Sequence, residues 1–253
     1  MCILLVSKNP NRDYKLIVIA NRDEYHSRQA DKLGFWTSFP GVIGGRDLEG
    51  GGGWLAASTT GRLAAVTNIN GGRPLRSDVK SRGLIVKDFL NTQMRADEYA
   101  RWLRSDDDRY NGFNLIIYDG EKLYWDSNTV KEGIELVNKT YTISNAPLHT
   151  KWYKTEQLKL KFQAVMENPS PGLLNRLLDI LGPNSNDRFD YHSDEYRTGD
   201  RLKKDIFIQG MTYGTRCSSV VMFKNDGTIA FTEKRYNSIG ATTGENTISV
   251  DTN

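Results

Sequence analysis

The sequence predicts an α+β fold with sheets stacked face to face and helices outside, and three observations carry that reading. β-rich runs separated by turn residues occupy the N-terminal third, recur in the middle and return near the C-terminus. Helical spacing is confined to the stretches between them. No repeat, low-complexity tract or composition break divides the 253 residues, so one domain spanning 1–253 is expected, long enough to bury a proper core.

Cys2–Ser7 and Tyr14–Asn21 are predicted to pair antiparallel across the polar Lys8–Asp13 connection. Trp54–Ser58 and Leu63–Asn68 form a second hairpin, with Gly61 in its Thr59–Arg62 turn supplying a positive φ. Helices over Ser81–Leu90 and Ala96–Leu103 follow, the first with Leu84, Val86, Phe89 and Leu90 in partly helical spacing. Phe113–Tyr118 and Lys122–Trp125 enclose the turn Asp119-Gly120, and Thr140–Ser144 is a further strand. After Pro147, Leu158, Phe162 and Val165 recur at helical spacing among Lys154, Lys159 and Lys161, which predicts a lysine-rich face turned to water. Ser170-Pro171 opens a buried helix over Gly172–Leu181, stopped by Gly182-Pro183. Asn184–Lys204 is polar and reads as a loop or lid. Ser218–Phe223 and Thr228–Thr232 flank Asn225-Asp226-Gly227 as a hairpin, with Thr247–Val250 as an edge strand.

The composition excludes several function classes. The longest obvious apolar runs, Cys2–Val6 and Leu16–Ala20, fall far short of the about 18 residues of a membrane-spanning helix. Met1 leads into a short apolar run and then polar residues, so no secretory signal is read and the cytosol is the expected address. A net charge of +3 with bases scattered among acids offers no stripe for nucleic acid. Two cysteines, Cys2 and Cys217, are expected as reduced thiols, and no paired metal-ligand spacing is present. The glycine run Gly50–Gly53 lacks the lysine and the strand and helix setting of a phosphate loop, so it predicts a flexible loop or a close backbone approach.

Cys2 carries the most chemistry. Read structurally, it is a small residue opening a buried strand. Read functionally, removal of Met1 places a thiol and a free α-amine on one residue. Such an amine titrates near about pH 8, so it can take the thiol proton itself. Asn21-Arg22-Asp23-Glu24 ends the second predicted strand, and hairpin pairing brings Arg22 and Asp23 beside the chain start. Arg22 there can stabilise a thiolate, and Asp23 can hold or orient the amine. Asn11-Arg12-Asp13 repeats the letters but falls in the connection, away from Cys2.

Together, Met1-Cys2-Ile3, Asn21-Arg22-Asp23-Glu24 with Ser27-Arg28, Gly52-Gly53-Trp54-Leu55, Thr67-Asn68, Tyr110 to Leu115, Ser144-Asn145-Ala146, Tyr213 to Arg216 and Phe231-Thr232-Glu233 resemble the NRDE family, also called transport and Golgi organisation protein 2. The resemblance runs nearly end to end, with Gln29 replacing a usual proline and Gly53 a usual threonine. It implies a four-layer αββα sandwich of two mainly antiparallel sheets, as in N-terminal-nucleophile hydrolases acting on carbon–nitrogen bonds. Carried over by motif, Cys2 is the nucleophile, Arg22 and Asp23 are its electrostatic partners, and Asn68 and Asn145 supply oxyanion or substrate-binding amides, with Arg216 completing the site. The substrate so implied is a small-molecule amide or acyl conjugate, with no cofactor required for hydrolysis.

Family associations with haem mobilisation, lipid or acyl-coenzyme A metabolism, the Golgi and mitochondria imply a second expectation. In it the same pocket carries haem or a lipid-like ligand without turnover. Axial candidates for haem are His26, His149, His192, Cys2 and Cys217, none in a recognisable ligand motif, and Trp36 and Trp54 are candidates to line an apolar pocket.

Overall fold

The computed structural model describes residues 2–69, 75–169, 171–183 and 204–252. Thirteen strands in these residues form two antiparallel sheets. The first joins β1 (Cys2–Lys8), β2 (Tyr14–Tyr25), β10 (Thr140–Ile143), β11 (Tyr213–Lys224), β12 (Thr228–Tyr236) and β13 (Thr242–Asp251), in the order β10-β1-β2-β11-β12-β13. The second runs in sequence order through β3 (Gly34–Phe35), β4 (Val42–Gly44), β5 (Leu55–Ser58), β6 (Leu63–Asn68), β7 (Phe113–Tyr118), β8 (Leu123–Ser127) and β9 (Ile134–Glu135).

Three apolar layers show how the sheets stack. Leu4, Val6, Leu16 and Val18 of the first sheet meet Ile43, Leu55, Leu63 and Ile116 of the second between the sheets. On the outer face of the first sheet, Ile3, Leu5, Ile17 and Ile19 pack against α3 (Tyr153–Glu167) and α4 (Leu173–Asp179) through Leu158, Phe162 and Leu177. On the outer face of the second, Ala56, Ala64 and Leu115 pack against α1 (Gly83–Leu90) and α2 (Ala96–Leu103) through Ile85, Phe89 and Tyr99. The result is an αββα sandwich. Central strands covered on both faces must be apolar on both, which explains the unbroken apolar run of β1 where a half-exposed strand would alternate.

The expected hairpins form, and the turn glycines Gly61 and Gly227 take φ of +79° and +94°, which a side chain would resist. β2 runs on to Tyr25, so Arg22 and Asp23 lie within a strand rather than in a turn after it. β11 and β12 are also longer than expected, and β13 is the edge strand. The short strands β3, β4 and β9 escape sequence reading because two or three residues carry no period. Gly52 and Gly53 make the close approach expected of the glycine run: Gly53 N–H donates to Gly83 O at 3.2 Å, and a Cβ on Gly52 would lie 2.1 Å from that oxygen. α4 begins after Gly172, itself at φ +93°. The expected cap at Ser170 and the loop or lid over 184–203 lie outside the described residues.

One expectation fails. Lys154 does not join Lys159 and Lys161 on a water-facing side of α3; it is 0% exposed. It sits four residues before Leu158 and eight before Phe162, so helical geometry places it on the apolar stripe.

Candidate functional site

The site is built where β1 begins. Cys2 stands opposite Arg22 of β2, and Arg22 stands opposite Cys217 of β11, so the three occupy one row across adjacent strands. Side chains alternate across a strand. Cys2, Arg22 and Cys217 therefore share the face of Leu4, Val18 and Val221, between the sheets, whereas Asn21 and Asp23 share the helix-covered face of Ile17 and Ile19.

Cys2 is half-buried and anchored through its backbone. Its N–H donates to Asn145 Oδ1 at 3.2 Å, and its carbonyl accepts from Ser144 Oγ at 2.7 Å. Burial pushes the thiol above its ordinary value, opposed by the backbone N–H of Asp23, which donates to it, and by the charge of Arg22. The segment after β10 is itself fixed from below. Thr67 Oγ1 donates to Ser144 O at 2.6 Å, and Asn114 Nδ2 reaches Ser144 O and Ala146 O at 3.1 and 3.0 Å. Trp125 Nε1 donates to Asn114 Oδ1 at 3.1 Å.

Arg22 is 5% exposed, with its guanidinium 4.5 Å over the Trp54 ring and Nη2 donating to Asp47 Oδ2 at 3.0 Å. Arg28 grips the same carboxylate with Nε and Nη2, at 2.7 and 3.1 Å. Burial works to raise the Asp47 carboxyl, but Arg28, the Gly50 N–H and Arg22 together bring it below its ordinary value. Arg22 is thus a fixed positive charge on the inter-sheet side of Cys2.

Asp23 is buried on the other face. Thr215 Oγ1 donates to its Oδ1 at 2.7 Å, and Tyr213 Oη to its backbone carbonyl at 2.9 Å. Burial raises its carboxyl, and Lys154 is the strongest influence pulling the other way. Lys154 Nζ lies 5.5 Å over the Trp152 ring, and burial lowers its pKa against the charge of Asp23.

The remaining expected residues divide. Asn145 is at the site, its Nδ2 donating to Asn68 O at 2.7 Å. Asn68 is therefore present at the site through its backbone oxygen. Arg216 sits in a bulge between Thr215 and Cys217, where its Nη1 donates to the carbonyls of Tyr25, His26 and Arg28 and so braces the chain leaving β2. Cys217 is buried beside Glu233, and burial followed by that carboxylate pushes its thiol far up. Glu233 Oε1 accepts from Leu33 N–H at 3.0 Å.

The haem candidates are scattered. His26 is held by Gly210 O at 2.9 Å, His149 is exposed at the edge of Trp125, and His192 lies outside the described residues. Trp36 is buried in the helix-covered core of the second sheet. Among the described residues no group of three or more His, Cys, Asp or Glu is placed to hold a metal ion, and no helix is long and apolar enough to cross a membrane. Sequence reasoning missed Asp47, Asn114, Ser144 and Lys154. Asn114 and Ser144 lay within the motifs Tyr110 to Leu115 and Ser144-Asn145-Ala146 without a role of their own, and Lys154 left a signal in its place on the apolar stripe of α3.

Two solved structures are similar at low level. A Caenorhabditis elegans N-acylethanolamine-hydrolyzing acid amidase ortholog covers 87% of this chain and 92% of its own at 7% identity and TM-score 0.38. Anbu from a Hyphomicrobium strain covers 99% and 88% at 10% identity and TM-score 0.29. Likeness that slight assigns no activity. Sequence comparison goes further. The transport and Golgi organization protein 2 homologs of Bos taurus and Homo sapiens are 34% and 32% identical over 92% of both chains, and the Drosophila melanogaster protein is 27% identical over the same share. The family model described as transport and Golgi organisation 2 matches residues 1–238, and the chain belongs to that family.

Proposed function

We propose that this protein uses Cys2, freed at the N-terminus by loss of Met1, as a nucleophile toward the carbon–nitrogen bond of a small amide or acyl conjugate. The observation that carries the reading is the convergence on Cys2 of four groups from two distant segments: Arg22 opposite it and Asp23 N–H on its sulfur, and Ser144 and Asn145 on its backbone. In the proposed reaction the α-amine accepts the thiol proton as sulfur attacks the carbonyl. The amine of the substrate leaves with that proton, and water then resolves the thioester to a carboxylic acid. Asn145 is the proposed amide donor to the oxyanion, a role suited to a group that donates without titrating, and Asn68 is proposed to fix that amide through its carbonyl oxygen. Arg216 supports the site by bracing the end of β2.

The test is the intact mass of protein from its native host, followed by incubation of the mature form with fluorogenic acyl amides. An acyl adduct on Cys2, absent in Cys2→Ala, is the expected result. Retained Met1, or mature protein that no acyl donor modifies while Cys2→Ala keeps its biological activity, overturns the reading.

One observation favours a second reading. The Cys2 N–H is already engaged by Asn145, and burial holds the thiol protonated, which suits a pocket that binds haem, a lipid or an acyl-coenzyme A without turnover. Saturable haem absorption changes with Cys2→Ala as well as with the unsubstituted protein would support it.

A further inference from the structure

Lys154 is a buried cation near Cys2 that neither the motifs nor the proposed chemistry uses. A lysine with no solvent exposure is costly unless its charge is compensated. Its ammonium has no hydrogen-bond partner among the described residues and leans only on the face of Trp152. Helix α3 lies across β1 and β10, on the face to which alternation along β2 turns Asp23. The charges acting on Lys154 are those of Asp23, Cys2 and Asp205, with Asp23 the strongest. A freed Cys2 amine would therefore find Asp23 already facing a cation.

We propose that Lys154 is a positioning residue that serves as the counter-charge of Asp23 from the helix layer, so that the carboxylate orients the Cys2 amine without binding it as an ammonium ion. The inference rests on the nucleophile reading and supplies what that reading needs. A carboxylate beside an amine favours the ammonium, which cannot accept the thiol proton. A second cation on the same carboxylate removes most of that bias and adds its own repulsion. The other charged groups around the position are Glu24 and Arg22 on β2, Asp205 before β11, and Arg82 before α1. Arg22 and Arg82 also act against an ammonium, Glu24 and Asp205 for it, so Lys154 is the group on the helix side that decides the balance at Asp23.

The test uses the full chain released by cleavage ahead of residue 2, so that the amine exists whether or not cells remove Met1. It is made in a Cys2→Ser background, which removes the competing thiol. Competitive labelling of the amine with acetic anhydride against pH, read by mass spectrometry of the N-terminal peptide, gives its titration directly. Lys154→Met is expected to move that titration upward by about one pH unit or more. Lys154→Arg is expected to restore it, and Asp23→Asn added to Lys154→Met to abolish the upward move.

If Lys154→Met alone fails to fold, recovery of folding by adding Asp23→Asn supports the charge pair, because removing both buried charges removes the penalty of leaving one. A folded Lys154→Met protein with an unmoved amine overturns the proposal, as does failure of both variants to fold. An amine that moves as expected in a protein whose Cys2 is never acylated would leave the charge pairing standing and remove the nucleophile reading.

Discussion

Asn114 is the residue on which the floor of the site depends most, and its replacement by alanine tests that dependence. It is 1% exposed, and its amide joins three segments: Nδ2 to Thr67 Oγ1, Ser144 O and Ala146 O, and Oδ1 from Trp125 Nε1. Ser144 O keeps the Thr67 hydroxyl after the change, and Ala146 O is near enough to solvent to be rehydrated. Trp125 Nε1–H is the group left buried without an acceptor, at a cost of about 1–3 kcal/mol. The other lost bonds add about 1 kcal/mol net, so Asn114→Ala is expected to destabilise by about 2–4 kcal/mol. Urea unfolding followed by far-ultraviolet circular dichroism resolves a difference of that size at unchanged slope. Trp125→Phe added to it removes the orphaned donor, so the double variant should cost about 1–2 kcal/mol less than the sum of the singles. Amide exchange at 144–146 should accelerate in Asn114→Ala. A cost below about 1 kcal/mol, or strict additivity with Trp125→Phe, would refute the reasoning that this network fixes Asn145 and Cys2.

Three further outcomes follow from the packing and charges. Burial holds the Glu233 carboxyl above its ordinary value of 4.5, so at this group the folded protein holds its proton to a higher pH than the unfolded chain does. The stability contributed at Glu233 therefore falls as pH rises from 4.5 through its raised folded value, and Glu233→Gln should remove that part of the slope in urea midpoints measured across pH. Gly52→Ala would drive a Cβ into Gly83 O and should cost at least about 1–3 kcal/mol in thermal unfolding, with α1 displaced from β5. Asp47→Asn leaves the buried Arg22 facing a neutral amide and should cost about 3 kcal/mol or more in urea, lost again when Arg22→Met is added.

The sequence was most legible where local rules and tertiary environment agree. The hairpin of β1 and β2 was readable from two apolar runs and a polar connection, and with it the meeting of Cys2 and Arg22. The true end of β2 was not. Arg22 to Tyr25 are polar enough to read as a turn, and they are strand because β11, about 190 residues away, pairs with them. Asn114 of β7 and Asp47 of the connection from β4 to β5 reach the site through contacts between distant segments that no local period announces. Lys154 misled for a different reason: its residue type argued for water more strongly than its position argued for the core, and the position was right.

The bulge at Arg216 shows how little backbone change settles the chemistry at Asp23. Cys217 pairs with Arg22, so a regular ladder would have set residue 216 opposite Asp23, with its side chain on the same helix-covered face. An arginine there would have met the carboxylate directly, two-pronged, and held it as a closed ion pair. The extra residue shifts the register by one: Thr215 becomes the partner and gives Asp23 a neutral hydroxyl at 2.7 Å, while Arg216 turns to the carbonyls of Tyr25, His26 and Arg28. The cation the carboxylate faces then comes from α3 instead of from the neighbouring strand. Deleting residue 216 should therefore do more than shorten β11. With the bulge closed, Thr215 stays opposite Asp23 and keeps its hydroxyl on the carboxylate, while the carbonyls of Tyr25, His26 and Arg28 lose their guanidinium. An unchanged amine titration at residue 2 together with faster amide exchange over 25–28 is the expected outcome, and a titration that moves would refute the reading that Arg216 acts only on the chain leaving β2.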